Sequence, residues 1–144
     1  MNQHPDIAIH SRDGRIIGVI QLKRASGINA ESATQIYGEH LRVGNLRGVR
    51  FFLLVTPASL FLWDLEGGNS PQEVAVRETG LPRFLQERLN EPINENIMLL
   101  ATYEWLVRLT YQSHDPTDPV ERALSDVGFL PLLANARFRF EPAA

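Results

Sequence analysis

Residues 5–23 read PDIAIHSRDGRIIGVIQLK, and this stretch decides the fold. Two runs rich in isoleucine and valine, residues 6–11 and 15–23, flank the pair Asp13-Gly14. An Asp-Gly pair between two β-prone runs is typical of a hairpin with a two-residue type I′ turn. The segment therefore predicts two antiparallel strands near the start of the chain.

The register of this hairpin brings polar side chains together at one end. With a two-residue turn, Arg12 faces Arg15. Asp6 then lies opposite Gln21, with their Cβ atoms roughly 5 Å apart. Lys23 follows Gln21 by two residues and therefore points to the same face of the sheet. These three polar residues interrupt a face whose other side chains are mostly apolar: Ala8, Ile17 and Val19.

The next segments predict a helix and two more strands. Asn29 can cap a helix that runs to about Leu46, with Glu31 in its first turn, where a carboxylate suits the helix dipole. Residues 51–56 form a short apolar strand, as expected in a sheet that is covered on both faces. Residues 60–64 are predicted to be its hairpin partner.

The C-terminal half has a mainly helical pattern. Helices are predicted at about 81–90 and 95–112, and the second is apolar nearly all round, which predicts a buried helix. Asp118, followed by a proline and by a glutamate at the third position, is a typical helix start. Phe138 and Phe140 alternate with arginines and predict an edge strand. We therefore predict an α/β fold in which helices flank a mixed β-sheet.

Length and composition are typical of one globular domain. The chain has 144 residues, of which 44% are hydrophobic and 22% charged. We expect a single domain over residues 1–144, with the sheet core in 1–64 and a mainly helical completion in 65–144. Cysteine is absent, which excludes disulfides and thiolate chemistry and fits a cytoplasmic location. No apolar run approaches the length of a membrane span, so we expect no membrane partner.

The polar end of the hairpin has a chemical interpretation. The Asp6 carboxylate, the Gln21 amide oxygen and the Leu22 backbone carbonyl are hard oxygen ligands suited to Mg²⁺ or Mn²⁺. Lys23 can orient a water molecule and stabilise charge on a phosphate. The pattern predicts metal-assisted hydrolysis of a phosphodiester. Glu31 either adds a metal ligand or only compensates the helix dipole.

Pro5-Asp6, the Asp-Gly hairpin and Gln21-Leu22-Lys23, followed by a helix and an apolar strand, resemble the core of the PD-(D/E)XK nuclease superfamily. The Gln-x-Lys form is similar to the variant in Mrr-type restriction endonucleases. This resemblance covers about residues 5–64. It implies a restriction-endonuclease-like fold with a four-stranded mixed sheet, Asp6 and Gln21 as metal ligands, and Lys23 as the catalytic lysine.

Members of that superfamily usually carry a helix with an acidic residue, and a strand, ahead of the Pro-Asp pair. Only four residues precede Pro5 here. We expect the helix to come from elsewhere in the chain, where Glu95 and Glu104 lie on a predicted helix, or from a partner, or to have been trimmed.

Positive charge is concentrated between residues 23 and 50, although the net charge of the chain is −3. Arg24, Arg42 and Arg47 are candidate contacts for DNA phosphates. Helix-dipole compensation explains Arg42 and Arg47 about as well. Two placements are open for Glu39 and His40, in the middle of the predicted helix: they face the site, or they lie on a solvated helix face, which is the commoner arrangement.

Two functions therefore stay open. One is a magnesium-dependent nuclease that acts on DNA. The other is a catalytically inactive nuclease-derived module that binds a protein partner or forms a homodimer. A third interpretation of Asp6, Gln21 and Lys23 is a solvent-exposed strand end with polar residues, in which Asp6 and Lys23 form a weak surface pair.

Overall fold

Six strands and five helices make up the part of the chain that the structure describes. This computed structural model covers residues 5–25, 27–68, 70–89 and 94–140. The strands are β1 (Ile7–His10), β2 (Ile16–Leu22), β3 (Phe51–Val55), β4 (Leu60–Asp64), β5 (Arg77–Glu78) and β6 (Arg137–Phe140). The helices are α1 (Ala30–Arg42), α2 (Arg83–Arg88), α3 (Glu95–Tyr111), α4 (Pro119–Asp126) and α5 (Phe129–Leu132).

The strands form one mixed sheet in the order β5-β4-β3-β2-β1-β6. Only β2 and β3 pair in parallel, with α1 as the connection between them, and the other four pairs are antiparallel. Every residue of β3 is buried, as predicted for a central strand. The predicted α/β class, the 60–64 hairpin partner and the terminal edge strand are confirmed.

The turn between β1 and β2 differs from the prediction. The Ser11 N–H donates to the Arg15 carbonyl at 2.8 Å, and the Gly14 N–H donates to the Ser11 carbonyl at 2.9 Å. The loop therefore has three residues, so the prediction that Arg12 faces Arg15 is wrong. Gly14 has a φ of 89°, the left-handed conformation that closes a three-residue hairpin loop. The Asp13 carboxylate stabilises the loop by accepting from the Ser11 hydroxyl and the Arg15 N–H.

A β-bulge in β2 compensates for the longer turn. His10 pairs with Ile16, but Ile9 pairs with Gly18, which leaves Ile17 as the extra residue. The added loop residue and the bulge shift the register in opposite directions. Beyond the bulge the pairing is therefore the one that the sequence predicts.

Apolar cores lie on both faces of the sheet. The α1 side contains Val19, Ala33, Tyr37, Phe52 and Trp63 among others. The opposite side is packed by residues of α2 to α5. Ile17 belongs to this second core, so its predicted place beside Val19 is wrong, because the bulge turns its side chain over.

The helix starts agree with the predictions better than the helix ends do. The Asn29 side chain caps α1 by accepting from the Ser32 N–H, and Asp118 caps α4. Helix α1 ends at Arg42 rather than near residue 46, and a run of turns follows Arg42. Helix α3 is not buried all round, since Leu100 is 56% exposed. The end of the helix predicted at 81–90 falls partly outside the described residues.

Candidate functional site

The candidate site lies where β1 begins and β2 ends. The Asp6 N–H donates to the Ile20 carbonyl at 2.8 Å, which continues the β1–β2 ladder to Asp6. Because β2 and β3 are parallel, their carboxyl ends share this edge, and the Lys23 N–H donates to the Val55 carbonyl at 2.9 Å. Backbone pairing on both sides of β2 therefore fixes the main chain that carries the candidate residues.

Asp6 and Gln21 are in direct contact, as predicted. Gln21 Nε2 donates to Asp6 Oδ2 at 3.0 Å, and the Leu22 N–H donates to the same oxygen at 2.7 Å. Gln21 is only 8% exposed, whereas Asp6 is partly exposed. The interpretation of these residues as a solvated strand end is therefore wrong for Gln21.

Two further residues extend this contact into the protein. His40 Nε2 lies 3.1 Å from Gln21 Oε1, and Asn45 Nδ2 lies 3.0 Å from His40 Nδ1. An ionised Asp6 only accepts, and Asn45 Nδ2 only donates. Asp6 at one end of this series of hydrogen bonds and Asn45 at the other therefore both require a neutral His40 with its hydrogen on Nε2. His40 is 3% exposed, so the solvated helix face is the wrong one of its two placements.

Local charges and burial shift the pKa values of two of these groups. Burial raises the pKa of Asp6, the Leu22 N–H lowers it, the Glu95 carboxylate raises it, and the Lys23 ammonium lowers it. Burial also lowers the pKa of His40 to about 4; Lys23 adds to this effect and Glu39 opposes it. His40 is therefore neutral at neutral pH, which agrees with the hydrogen-bond pattern.

The Glu95 carboxylate, at the start of α3, acts electrostatically on Asp6 and raises its pKa. Glu95, Asn94, Asn96 and Arg24 line an open cleft of about 350 Å³. Glu95 is one of the two acidic residues considered as a replacement for the acidic helix of the superfamily, and its charge acts on Asp6. Glu104, the other acidic residue considered, pairs with Arg88 at 3.8 Å instead.

The remaining predicted residues are more scattered. Glu31 is exposed in the first turn of α1. Among the described groups, the charges that shift the pKa of Asp6 are those of Glu95 and Lys23, not that of Glu31. Arg42 pairs with Glu39 at 2.5 Å, and Arg47 is exposed in the turns after α1.

Two residues of this site, His40 and Asn45, were not assigned to it from the sequence, and one signal that favours the predicted Lys23 was not used. His40 shares a buried helix face with Ala33 and Tyr37, and their spacing of four and three residues was a usable signal. Asn45 lies in an irregular segment that carries no such signal. Lys23 is the only lysine in a chain with thirteen arginines, which sets this position apart by composition alone.

The oxygen atoms of this site fit a divalent cation once one amide is turned. Gln21 Nε2 lies 3.0 Å from Asp6 Oδ2 and 3.5 Å from the Leu22 carbonyl oxygen. Turning the amide exchanges its nitrogen for Oε1 at nearly the same position. Neighbouring oxygen ligands of octahedral Mg²⁺ lie roughly 3 Å apart, so these spacings fit. Within the described ranges, no group of three or more His, Asp or Glu side chains is arranged to hold a metal.

Comparison of the chain with protein-family models, with curated proteins and with solved structures gives no match. Among the described residues, no helix is long and apolar enough to cross a membrane.

Proposed function

We propose that this protein is a metal-dependent nuclease that hydrolyses phosphodiester bonds in DNA, with a site like that of the PD-(D/E)XK superfamily. One observation carries the proposal: Asp6 and Gln21 are in contact at one end of the sheet, and the charges of Lys23 and Glu95 both act on Asp6. A carboxylate and an amide are thus in contact, and a lysine and an acidic residue of a distant helix act on the carboxylate through their charges.

Different groups of the chain would bind the metal ion and the attacking water. Asp6, the Leu22 carbonyl and the Gln21 amide oxygen would hold Mg²⁺ or Mn²⁺, and Glu95 would add negative charge beside them. When bound, the ion polarises the phosphate and makes a coordinated water more acidic. Lys23 would hold that water and balance the charge that develops on the phosphate.

The use of a lysine at position 23 also favours this role. Arginine is the cation everywhere else in the chain, with thirteen residues against one lysine. An ammonium is a compact point charge with three rotatable donors, whereas a guanidinium is planar and spreads its charge. A site that orients water has a reason to prefer the ammonium.

Two arginines on β6 are further candidates for contacts with DNA, beside Arg24 at the cleft. Arg139 pairs with Ala8, and Arg137 pairs with His10. Since Ala8 and His10 alternate along β1 in step with Asp6, both arginines project to the face of the sheet on which Asp6 lies. Neither forms an ion pair with any residue in the described ranges, whereas Arg42 is neutralised by Glu39.

The test is cleavage of plasmid and single-stranded DNA with Mg²⁺ or Mn²⁺ by the wild type, Lys23→Ala and Arg77→Gln. Arg77 lies on β5, at the opposite edge of the sheet, so its variant controls for loss of one positive charge. We expect metal-dependent cleavage that Lys23→Ala loses and Arg77→Gln keeps. Cleavage that survives Lys23→Ala, or no cleavage by a folded wild type, contradicts the proposal.

A second function, an inactive nuclease-derived module, is favoured by one observation. Both polar atoms of the Gln21 amide are already bonded, one to Asp6 and one to His40. Such a module would bind a protein partner or a second copy of itself, and exposed Leu100 and Phe140 would be candidate contacts. Sedimentation at micromolar concentration tests self-association, since a monomer contradicts it.

A further inference from the structure

The side chains of Gln21, His40 and Asn45 form a row that can run in either direction. His40 Nε2 is 3.1 Å from Gln21 Oε1, and Asn45 Nδ2 is 3.0 Å from His40 Nδ1. An amide carries an acceptor and a donor of similar size, and a neutral imidazole carries its hydrogen on either nitrogen. The row can therefore reverse without a change of charge: each amide exchanges the positions of its nitrogen and oxygen, and the imidazole carries its hydrogen on the other nitrogen.

The direction of the row determines whether the nitrogen or the oxygen of the Gln21 amide faces Asp6. In the present direction the Gln21 NH₂ group donates to Asp6 Oδ2, so Oε1 points to His40 and away from the carboxylate. An NH₂ group does not ligate a cation, whereas the amide oxygen does. If Gln21 turned alone, its NH₂ would face the N–H of His40, and two buried donors would meet.

We propose that His40 is a positioning residue for Gln21, and that binding of a divalent cation beside Asp6 reverses the whole row through His40 to Asn45. This inference rests on the proposed function, because it assigns a cation to Asp6. In the reversed row, Gln21 Nε2 donates to His40 Nε2, and His40 Nδ1–H donates to Asn45 Oδ1. The imidazole gives one proton to water from Nε2 and takes one up at Nδ1, so its net charge stays zero.

The burial of Gln21 and His40 couples the turn of the amide to the tautomer of the imidazole, and the hydrogen bond from Asn45 to His40 Nδ1 extends the coupling to Asn45. Gln21 and His40 are 8% and 3% exposed, so water has little access to groups left unpaired between them. Both complete directions keep these hydrogen bonds, but every mixed arrangement opposes two donors or two acceptors. The row therefore has two favoured arrangements, and a cation selects one of them.

The first test reads the tautomer of His40 directly. Nitrogen-15 NMR of the labelled full chain at pH 8 distinguishes Nε2–H from Nδ1–H, and a His40→Gln variant assigns the signal. We expect Nε2–H without metal and Nδ1–H with saturating Mg²⁺. His40 that stays Nε2–H when calorimetry shows Mg²⁺ bound overturns the proposal.

The second test reverses the row without metal. Asn45→Asp is nearly isosteric and leaves only an acceptor beside His40 Nδ1, as the aspartate does beside the histidine of a hydrolase triad. We expect Nδ1–H in the metal-free variant and Mg²⁺ binding about tenfold tighter than in the wild type. Asn96→Asp, at the cleft, adds the same charge and should leave His40 as Nε2–H.

Calorimetry separates this inference from the function on which it rests. If the folded wild type binds no Mg²⁺, the proposed function fails. The row is then judged on the metal-free Asn45→Asp variant, where an Nε2–H imidazole overturns the inference and an Nδ1–H imidazole upholds the coupling between Asn45 and His40.

Discussion

Asp6 and His40 are joined by a single group, the amide of Gln21, which donates to one and accepts from the other. A partly exposed carboxylate on β1 is thereby tied to a buried histidine on α1. The sheet supplies the first two residues and the helix that covers it supplies the third. The ionisation of Asp6 and the hydrogen-bond pattern of the core are therefore linked.

The stability of the protein should fall as the pH drops below about 6.5. The folded state holds the pKa of His40 at about 4, against 6.5 for the free side chain, so the unfolded chain binds a proton between these values that the folded chain does not. The loss reaches about 3 kcal/mol by pH 4. Urea unfolding at pH 7.5 and 4.5 measures it.

The matched variant for this prediction is His40→Gln. It replaces the imidazole by an amide, which also forms hydrogen bonds but does not titrate. Its free energy of unfolding should depend less on pH between 6.5 and 4. The raised pKa of Asp6 acts in the opposite direction, because the folded state then keeps that proton to higher pH. Equal pH dependence in wild type and His40→Gln would contradict the assignment of His40 as a buried neutral group.

Gln21→Glu should lower the free energy of unfolding of the metal-free protein and increase its affinity for Mg²⁺. A second carboxylate would lie about 3 Å from Asp6, and repulsion of this kind costs about 2 kcal/mol of unfolding free energy at pH 8. A bound cation removes the repulsion, so we expect Mg²⁺ affinity to rise about tenfold. Thermal unfolding with and without Mg²⁺ measures both effects.

Gln35→Glu is the control for that variant. Gln35 is exposed on α1, so its replacement makes the same chemical change away from Asp6. It should leave both the melting temperature and its response to Mg²⁺ unchanged. If Gln21→Glu behaves in the same way as Gln35→Glu, Gln21 does not face a cation site.

Replacing Arg137 and Arg139 by glutamine should lower the affinity for DNA, and the affinity should then depend less steeply on salt concentration. Each phosphate contact contributes about 0.9 to the slope of log affinity against log salt concentration on duplex DNA, so the double variant should lose about 1.8. Fluorescence anisotropy in the Lys23→Ala background measures binding without cleavage. An unchanged slope, equal to that of Arg77→Gln, would remove β6 from the DNA contact surface.

Part of the site was predictable because its geometry is local. The contact between Asp6 and Gln21 follows from one hairpin, and the prediction succeeded although its turn was wrong. The three-residue loop and the bulge at Ile17 happen to cancel. Residue patterns mark Asp13-Gly14 as a turn, but they do not distinguish a regular hairpin from a longer loop with a compensating bulge.

The parts of the site that were not predicted depend on long-range packing. Glu95 was considered together with Glu104, but no residue pattern selects it, because its charge acts on Asp6 through the packing of α3, more than eighty residues away in the sequence. Asn45 meets His40 through an irregular turn whose path no periodicity specifies. For His40 the solvated face was the preferred of two placements, because a histidine in mid-helix is commonly solvated, although its spacing from Tyr37 placed it on the buried face.

The measurement that tests the central claim most directly is calorimetric titration of Mg²⁺ into the wild type, Asp6→Asn and Asp126→Asn. Asparagine at position 6 keeps an acceptor for the Leu22 N–H, so the fold is expected to survive. Asp126 is exposed at the end of α4 and controls for the loss of one negative charge. The account predicts one site in the wild type, unchanged in Asp126→Asn and at least about tenfold weaker in Asp6→Asn. Equal binding by the wild type and Asp6→Asn, or no binding by the folded wild type, would contradict it.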